Sequence, residues 1–412
     1  MTVTHKIRPQ QRQLMAQYVG SLSFATHPPQ IYTPEIEPLR EMVMTLPWCG
    51  DLSQWDVYVI LINTTFAFLE DFSDVERLKP AALEADHAKL LTDRLCGAFE
   101  ELPLTYVLHI SMPNLSRYGG FAHEITADIS IDSITEVSHA SKSVNKLAVA
   151  LLAREKEQIV SSVLKIKCRG FASSNIDSPA VAQAFAIAKQ CVFLFQESGA
   201  MIAEYKTDAT SQCWIVQEGS TEKVAIEMPL PLSRLFGRLD FNVSNMVFWD
   251  TASGRSLLGS ARPPRNDEEA IVCMDELFRL TSKFFSSTDH TDSDRIVSAI
   301  EWYEDSVLNQ DQTIAFISAC IGLESILGDR DFMTDMTPRL ADRFAFLLGK
   351  DRDDRKTLSS QFKKIFNTRG ELVHARKTRL TSRRQEELNQ ARRMLKDCIW
   401  KELQPIFKAT VT

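Results

Sequence analysis

Near its C-terminus the chain reads Asn367-Thr368-Arg369-Gly370-Glu371-Leu372-Val373-His374-Ala375. Arg369 and His374 carry the two chemistries that RNA scission requires. RNA supplies its own nucleophile, the 2′-hydroxyl, so no metal is obligatory. What remains is a proton-transfer group titrating near neutrality, which histidine provides. A fixed cation must also meet the charge of a phosphorane-like transition state, and the planar guanidinium of arginine suits phosphate oxygens. Asn367 and Glu371 flank the pair and are candidates to contact RNA or to orient His374. The alternative for both is ordinary helix-surface polarity.

The spacing alone is common. Arg117 and His123 make a near-copy, but that stretch crosses a Gly-Gly turn into a strand pattern. The Arg369 pair lies instead in a helical stretch that opens into a basic segment. From Arg355 to Lys401 there are 14 basic residues against four acidic ones, a local charge of +10. With a whole-chain charge of −7, the remainder carries −17. Such asymmetry favours an anionic ligand near the last two helices, the alternative being a solvated helix face. Lys363, Lys364, Arg376, Lys377 and Arg379 are the candidate RNA-binding cations. Five positions on a helix turn through about 140°, so Arg369 and His374 point to adjacent faces. A single copy makes a sparse site, and a two-fold dimer brings two copies together across one cleft.

Other chemistries lose support. His123-Glu124-Ile125-Thr126-Ala127 begins like a zinc-protease motif but lacks the second histidine and reads as a strand. Asp329, Asp331 and Asp335 lack the glycine and terminal glutamate of a calcium loop. No phosphate loop, nucleophile elbow or dinucleotide fingerprint is present, so no metal or cofactor is expected. The charge argues against a polycation that coats nucleic acid along its whole length. Val57–Ile62 is far short of the roughly 20 apolar residues of a membrane span, and the first 20 residues carry no secretory apolar region. The eight cysteines form no CxxC pair, and several sit in apolar runs as reduced thiols would. The expectation is a cytoplasmic protein without a membrane partner.

The elements that must position the pair are legible in part. Thr105–Met112, Phe121–Asp132, Val163–Arg169 and Val224–Met228 alternate with period two and predict strands. Tyr118-Gly119-Gly120-Phe121 between the first two suggests that they pair. Leu83–Leu102, Val144–Gln158 and a helix opened by Ser178-Pro179 interrupt them. Asp250–Asn266, rich in Gly and Pro, reads as a linker. Beyond it the pattern is helical: Glu268–Phe285, a polar loop at Ser286–Asp294, Arg295–Leu308, Asp311–Leu327, Pro338–Leu348 capped by Thr337, and Leu358–Phe366. A last helix runs to about Phe407 behind a Ser382/Gln385 capping box. The fold class is therefore α+β, with a mixed α/β region over 1–266, of one part or two subdomains, and an all-helical domain over 267–412.

The stretch from about Arg295 to Leu403 resembles the HEPN superfamily, most closely the ApeA-like HEPN type of prokaryotic antiviral defence. The points of resemblance are the helix Ala319-Cys320-Ile321-Gly322-Leu323-Glu324-Ser325-Ile326-Leu327 and the segment Phe366–Ala375. They cover about a quarter of the chain. The resemblance implies a metal-independent endoribonuclease site at a dimer interface. Arg369 would bind the scissile phosphate and His374 would transfer protons. Family members often place Asn, Asp or His directly after the arginine; here that residue is Gly370, which lets backbone approach RNA. Glu324, on a partly apolar helix face, calls for a basic partner: it orients Arg369, or it forms a structural ion pair elsewhere. The implied partners are RNA, with tRNA among the candidates, a second copy of the chain and a phage-derived trigger. The N-terminal region would then sense or restrain. A non-catalytic HEPN module binding RNA, a nucleotide or a protein partner is the alternative.

Overall fold

The structure, a computed structural model, describes residues 6–24, 32–46, 49, 51–71, 83–112, 122–136, 159–197, 201–203, 211–241, 249–250, 255–256, 267–287, 290–328, 336–374, 380 and 385–408. Helices and a small sheet coexist, an α+β protein. The chain divides into two compact units. The first comprises residues 1–109, 167–184 and 213–227; the second comprises 110–166, 185–212 and 228–412.

The N-terminal segment holds three helices that period-two reading does not reveal: α1 (Pro9–Ser21), α2 (Ile36–Met44) and α3 (Gln54–Glu70). Their signals are local. Pro9 stands at the first turn of α1. Ser53 caps α3 by accepting from the Asp56 N–H at 3.1 Å, while Asp56 Oδ2 accepts from the Ser53 N–H at 2.9 Å. With α4 (Ala85–Glu100) these helices enclose one core. Tyr18, Leu39, Val57, Phe68, Leu91 and Leu95 are sealed within it.

The main sheet has six strands in the order β2-β3-β4-β1-β6-β7. They are β1 (Leu104–Met112), β2 (His123–Thr126), β3 (Ile129–Glu136), β4 (Ile159–Gly170), β6 (Cys213–Gln217) and β7 (Lys223–Ala225). In β1 the expected alternation is seen residue by residue, with Tyr106, Leu108, Ile110 and Met112 buried. The single strand expected over Phe121–Asp132 is instead a hairpin. β2 and β3 pair antiparallel about a turn at Ala127–Asp128, where the Asp128 N–H donates to Thr126 Oγ1 at 3.2 Å. Ile125 and Ile129 stay buried on either side of this turn, so alternation by itself cannot distinguish a straight strand from a tight hairpin. The expected β1–β2 pairing is also replaced: β1 lies between β4 and β6. The Gly-Gly turn lies outside the described residues. The strand expected at Val224–Met228 is only three residues long, and Val224 is exposed on it. Two small ribbons, β5 (Met201–Ala203) with β8 (Leu239–Phe241) and β9 (Trp249–Asp250) with β10 (Arg255–Ser256), complete the strands. The Val144–Gln158 helix lies outside the described residues, as does most of the predicted linker.

In the second unit, helices α5 (Pro179–Glu197, from Phe185 onward), α6 (Leu230–Arg238), α7 (Asp267–Ser286) and α8 (His290–Leu308) precede the segment that carries the candidate pair. Helix resumes at His290, so the polar loop is shorter than expected. Next come α9 (Gln312–Leu327), α10 (Met336–Leu348), α11 (Arg352–Val373) and α12 (Gln385–Lys408). Thr337 lies inside α10 rather than capping it. Ser382 is outside the described residues. No strand interrupts the described residues from Asp267 on.

Helix α9 is the axle of this bundle. Asp311 caps it, accepting from the Thr313 N–H at 2.7 Å. Phe316, Ala319, Cys320 and Leu323 are fully buried. Its neighbours α8 and α12 come very close at Gly322: a Cβ there would lie 2.5 Å from Leu395 Cδ2 and 3.2 Å from Trp302 Cβ. Glycine is required at this crossing for lack of space, not for backbone freedom. Arg343 of α10 donates to the Leu327 carbonyl at 2.7 Å and ties α10 to the end of α9. Phe193 of α5 stacks on Trp400 of α12 at 5.7 Å, and Lys189 pairs with Asp305 of α8 at 2.5 Å.

Candidate functional site

Helix α11 is longer than the expected Leu358–Phe366 segment. Its start is fixed by Asp351, whose carboxylate accepts from the Asp353 and Asp354 N–H groups at 3.0 and 2.9 Å. It continues through Arg369 to Val373, with His374 as the capping residue. The whole Arg369–His374 stretch therefore belongs to one rigid element and its cap.

The two faces of α11 are chemically distinct. Phe362, Ile365, Phe366 and Leu372 are buried. Arg369 belongs to this inward set by helical phase and is half-buried. Its Nη2 stands 3.3 Å from both carboxylate oxygens of Glu324 on α9. The structure thus brings together the two segments on which the family resemblance rests. Arg369 Nε is buried and has no hydrogen-bond partner among the described residues. Burial pushes the Glu324 carboxyl above its ordinary range, and the Arg369 guanidinium pulls it part of the way back. The adjacent Cys320 thiol is pushed far up, first by burial and then by Glu324. It is an inert core group, as are Cys49, Cys96, Cys168, Cys191, Cys213 and Cys398, all buried and free.

The opposite face is open. Lys363, Lys364, Asn367 and His374 are exposed. Lys363, Asn367, Gly370 and His374 recur at spacings of four, three and four, which is one helical face. A Cβ at Gly370 would meet nothing within 4 Å. Its backbone is not in the left-handed region, so neither space nor conformation requires glycine there. The His374 N–H donates to the Gly370 carbonyl at 3.0 Å, closing the helix. Glu371 lies beside this face and is half-buried. Arg376, Lys377 and Arg379 lie outside the described residues.

Arg369 and His374 consequently serve different environments. The arginine is latched inward to Glu324, and the histidine faces solvent about 140° around the helix. Within one protomer they do not form a compact acid–base cluster. What one copy does assemble is a positioned guanidinium behind an open, basic helix face ending in a histidine.

The resemblance did not point to a groove between α10 and α11, of about 830 Å³, on this open face. Lys363, Lys364 and Asn367 line it, and so do Arg352, Arg355, Lys356 and the exposed Phe346. The signal available in the sequence was the recurrence of basic residues at helical spacing from Arg352 onward. The rejected zinc motif is a strand in the structure: His123 of β2 stacks on Phe278 of α7 at 4.6 Å, with Asp275 3.7 Å away. Among the described residues no His, Cys, Asp and Glu cluster could hold a metal ion. No described helix is long and apolar enough to cross a membrane.

No protein-family model, curated protein or solved structure matches the chain.

Proposed function

We propose that this chain is a metal-independent endoribonuclease of HEPN type, acting as a homodimer in antiphage defence or a stress response. The observation that carries the reading is the Glu324–Arg369 pair, which links the two resembling segments across α9 and α11. Glu324 fixes the guanidinium, so that a phosphate meets an oriented cation rather than a mobile one. His374, exposed at the helix end, is accessible to a substrate and to a second protomer. In the reaction the 2′-hydroxyl loses its proton to a base as it attacks phosphorus. The P–O5′ bond breaks and the leaving oxygen gains a proton. The products are a 2′,3′-cyclic phosphate and a 5′-hydroxyl. His374 is the proton-transfer group, and Arg369 holds the charge that builds on the nonbridging oxygens. Lys363 and Lys364 draw in the strand. The N-terminal region restrains or triggers the activity, and a phage-derived molecule is the expected trigger.

A second reading, an RNA-binding module without catalysis, is favoured by Gly370 and by the outward direction of His374 away from Arg369. One experiment decides between them. Purified protein, alone and with an extract of phage-infected cells to supply a trigger, is incubated with tRNA and messenger-like RNA with and without EDTA, beside His374→Ala. Cleavage by the wild type alone, leaving cyclic-phosphate ends, is the expected result. Intact RNA in both lanes together with salt-sensitive binding selects the second reading, and complete loss of wild-type cleavage on chelation refutes the metal-independent mechanism.

A further inference from the structure

We propose that the groove between α10 and α11 is a single-stranded RNA track with a base-stacking platform at Phe346. This deepens the RNA reading above and rests on it for the ligand's class. Phe346 is 68% exposed, the most exposed of the large apolar side chains described. A lone exposed apolar side chain is ordinary, and Phe346 is set apart by the cationic groove that it lines. One partner is already in place: the Arg355 guanidinium lies over the ring, 4.7 Å from its centroid. Arg355 is itself fixed, its Nε donating to the Gly349 carbonyl at 3.4 Å. A Cβ at Gly349 would collide with Arg355 Cγ and with the Ala345 carbonyl oxygen. Glycine at the end of α10 is thus what lets Arg355 lie across and reach the ring. The result is a cation-backed aromatic plate beside a polar groove, on which a nucleobase stacks.

The remainder of the groove follows a phosphate backbone. Arg352, Lys356, Lys363 and Asn367 follow one face of α11 at spacings of four, seven and four. They span about 22 Å along the helix axis, room for a strand of about four nucleotides. Lys356 shares its charge weakly with Asp353, at 3.4 Å with both side chains exposed. Lys363 and Lys364 make no hydrogen bond or ion pair among the described residues, and a single acidic side chain, Asp342, lines the groove. The same face continues through Gly370 to His374, so a strand lying in the groove leads to the histidine. An acidic peptide would use the cations but leave Phe346 uncovered. A duplex would present no free base to it.

The test uses a labelled eight-nucleotide 2′-O-methyl oligoadenylate, which has no free 2′-hydroxyl and cannot be cleaved. An abasic strand of equal length serves as its partner probe, and binding is read by fluorescence anisotropy in EDTA. Phe346→Leu is expected to weaken the base-bearing strand roughly 5- to 150-fold and to leave the abasic strand unchanged. Lys356→Gln with Lys363→Gln is expected to weaken both strands and to flatten the salt dependence by about 1.4 in log–log slope. All three side chains are exposed or line the open groove, and circular dichroism verifies that the variants fold. Equal losses of both strands in Phe346→Leu, tighter binding of duplex RNA, or equal competition by oligoglutamate would each overturn the proposal. Because the probe is uncleavable, groove binding without cleavage of ordinary RNA refutes the nuclease alone, and cleavage that is indifferent to these substitutions refutes the track alone.

Discussion

Glutamine substituted at each end of the Glu324–Arg369 pair has unequal consequences that the structure allows to be worked out. The guanidinium nitrogen lies 3.3 Å from each carboxylate oxygen, and the side chains are 23% and 29% exposed. At an effective dielectric of about 20 the attraction is about 5 kcal/mol gross, and desolvation of both charges removes most of it. The net coupling expected is about 1–2 kcal/mol. The Glu324 carboxyl is pushed upward despite its partner, so ionised Glu324 already carries an excess burial cost. Glu324→Gln removes that cost together with the attraction, and its effect at pH 7 is small, within about 1 kcal/mol. Arg369→Gln leaves a half-buried carboxylate without its cation and costs about 2–3 kcal/mol.

The pH dependence has a definite sign. A carboxyl whose folded pKa is raised binds its proton more readily in the native state than in the unfolded chain. Its contribution is therefore most favourable at low pH and declines as pH rises from the ordinary carboxylate range through the raised folded value. In Arg369→Gln the upward push is no longer opposed, so that variant's deficit narrows on acidification. Adding Glu324→Gln to Arg369→Gln should restore stability at pH 7. Urea unfolding of the four proteins at pH 7 and pH 5, with m-values compared, measures this directly. Additive effects, or a larger loss from Glu324→Gln than from Arg369→Gln, would refute a burial-dominated latch.

Two further substitutions probe the packing around the site. Gly322→Ala drives a methyl group against Leu395 and Trp302 and should destabilise by about 1–3 kcal/mol, and its loss combined with that of Leu395→Ala should be less than additive, both read from urea unfolding. Gly370→Ala enters open space within helix α11 and should stabilise by about 0.5–1 kcal/mol; a loss of stability there would show that the helix end is packed differently.

The helical half of this architecture was legible because its signals are local. Asp311 caps α9, which is apolar nearly all round as a central buried helix is, and apolar residues recur with helical period along α12. Helix ends were less legible. The α11 boundaries depend on Asp351, whose capping competes with Asp353 and Asp354 just beyond it, and on a C-terminus with no punctuating residue before His374. The strands were visible one by one, but their partners were not. Alternation specifies which face of β1 is buried and says nothing about which strand lies beside it. Helices α1–α3 were missed for two reasons: α1 and α3 do not gather their apolar residues on one face, so their helical period is weak, and α2 is only nine residues long. At the candidate site, residue types nominate Arg369, His374 and the lysines. The 45-residue jump that brings Glu324 to Arg369 is tertiary, and so is the approach of Phe346 to Arg355.

The opposed directions of Arg369 and His374 on one helix have a consequence for how the protein can change. Arg369 depends on a core contact between α9 and α11, so substitutions around it are filtered by folding. His374 and the groove cations face water, so substitutions there are filtered only by what they bind. A lineage can therefore vary the groove cations Arg352, Lys356 and Lys363 while the buried latch stays intact. It can equally lose its histidine and keep a well-folded scaffold with its exposed cations in place. On the proposed reading, catalysis and recognition are separable by mutation within a single helix of 22 residues.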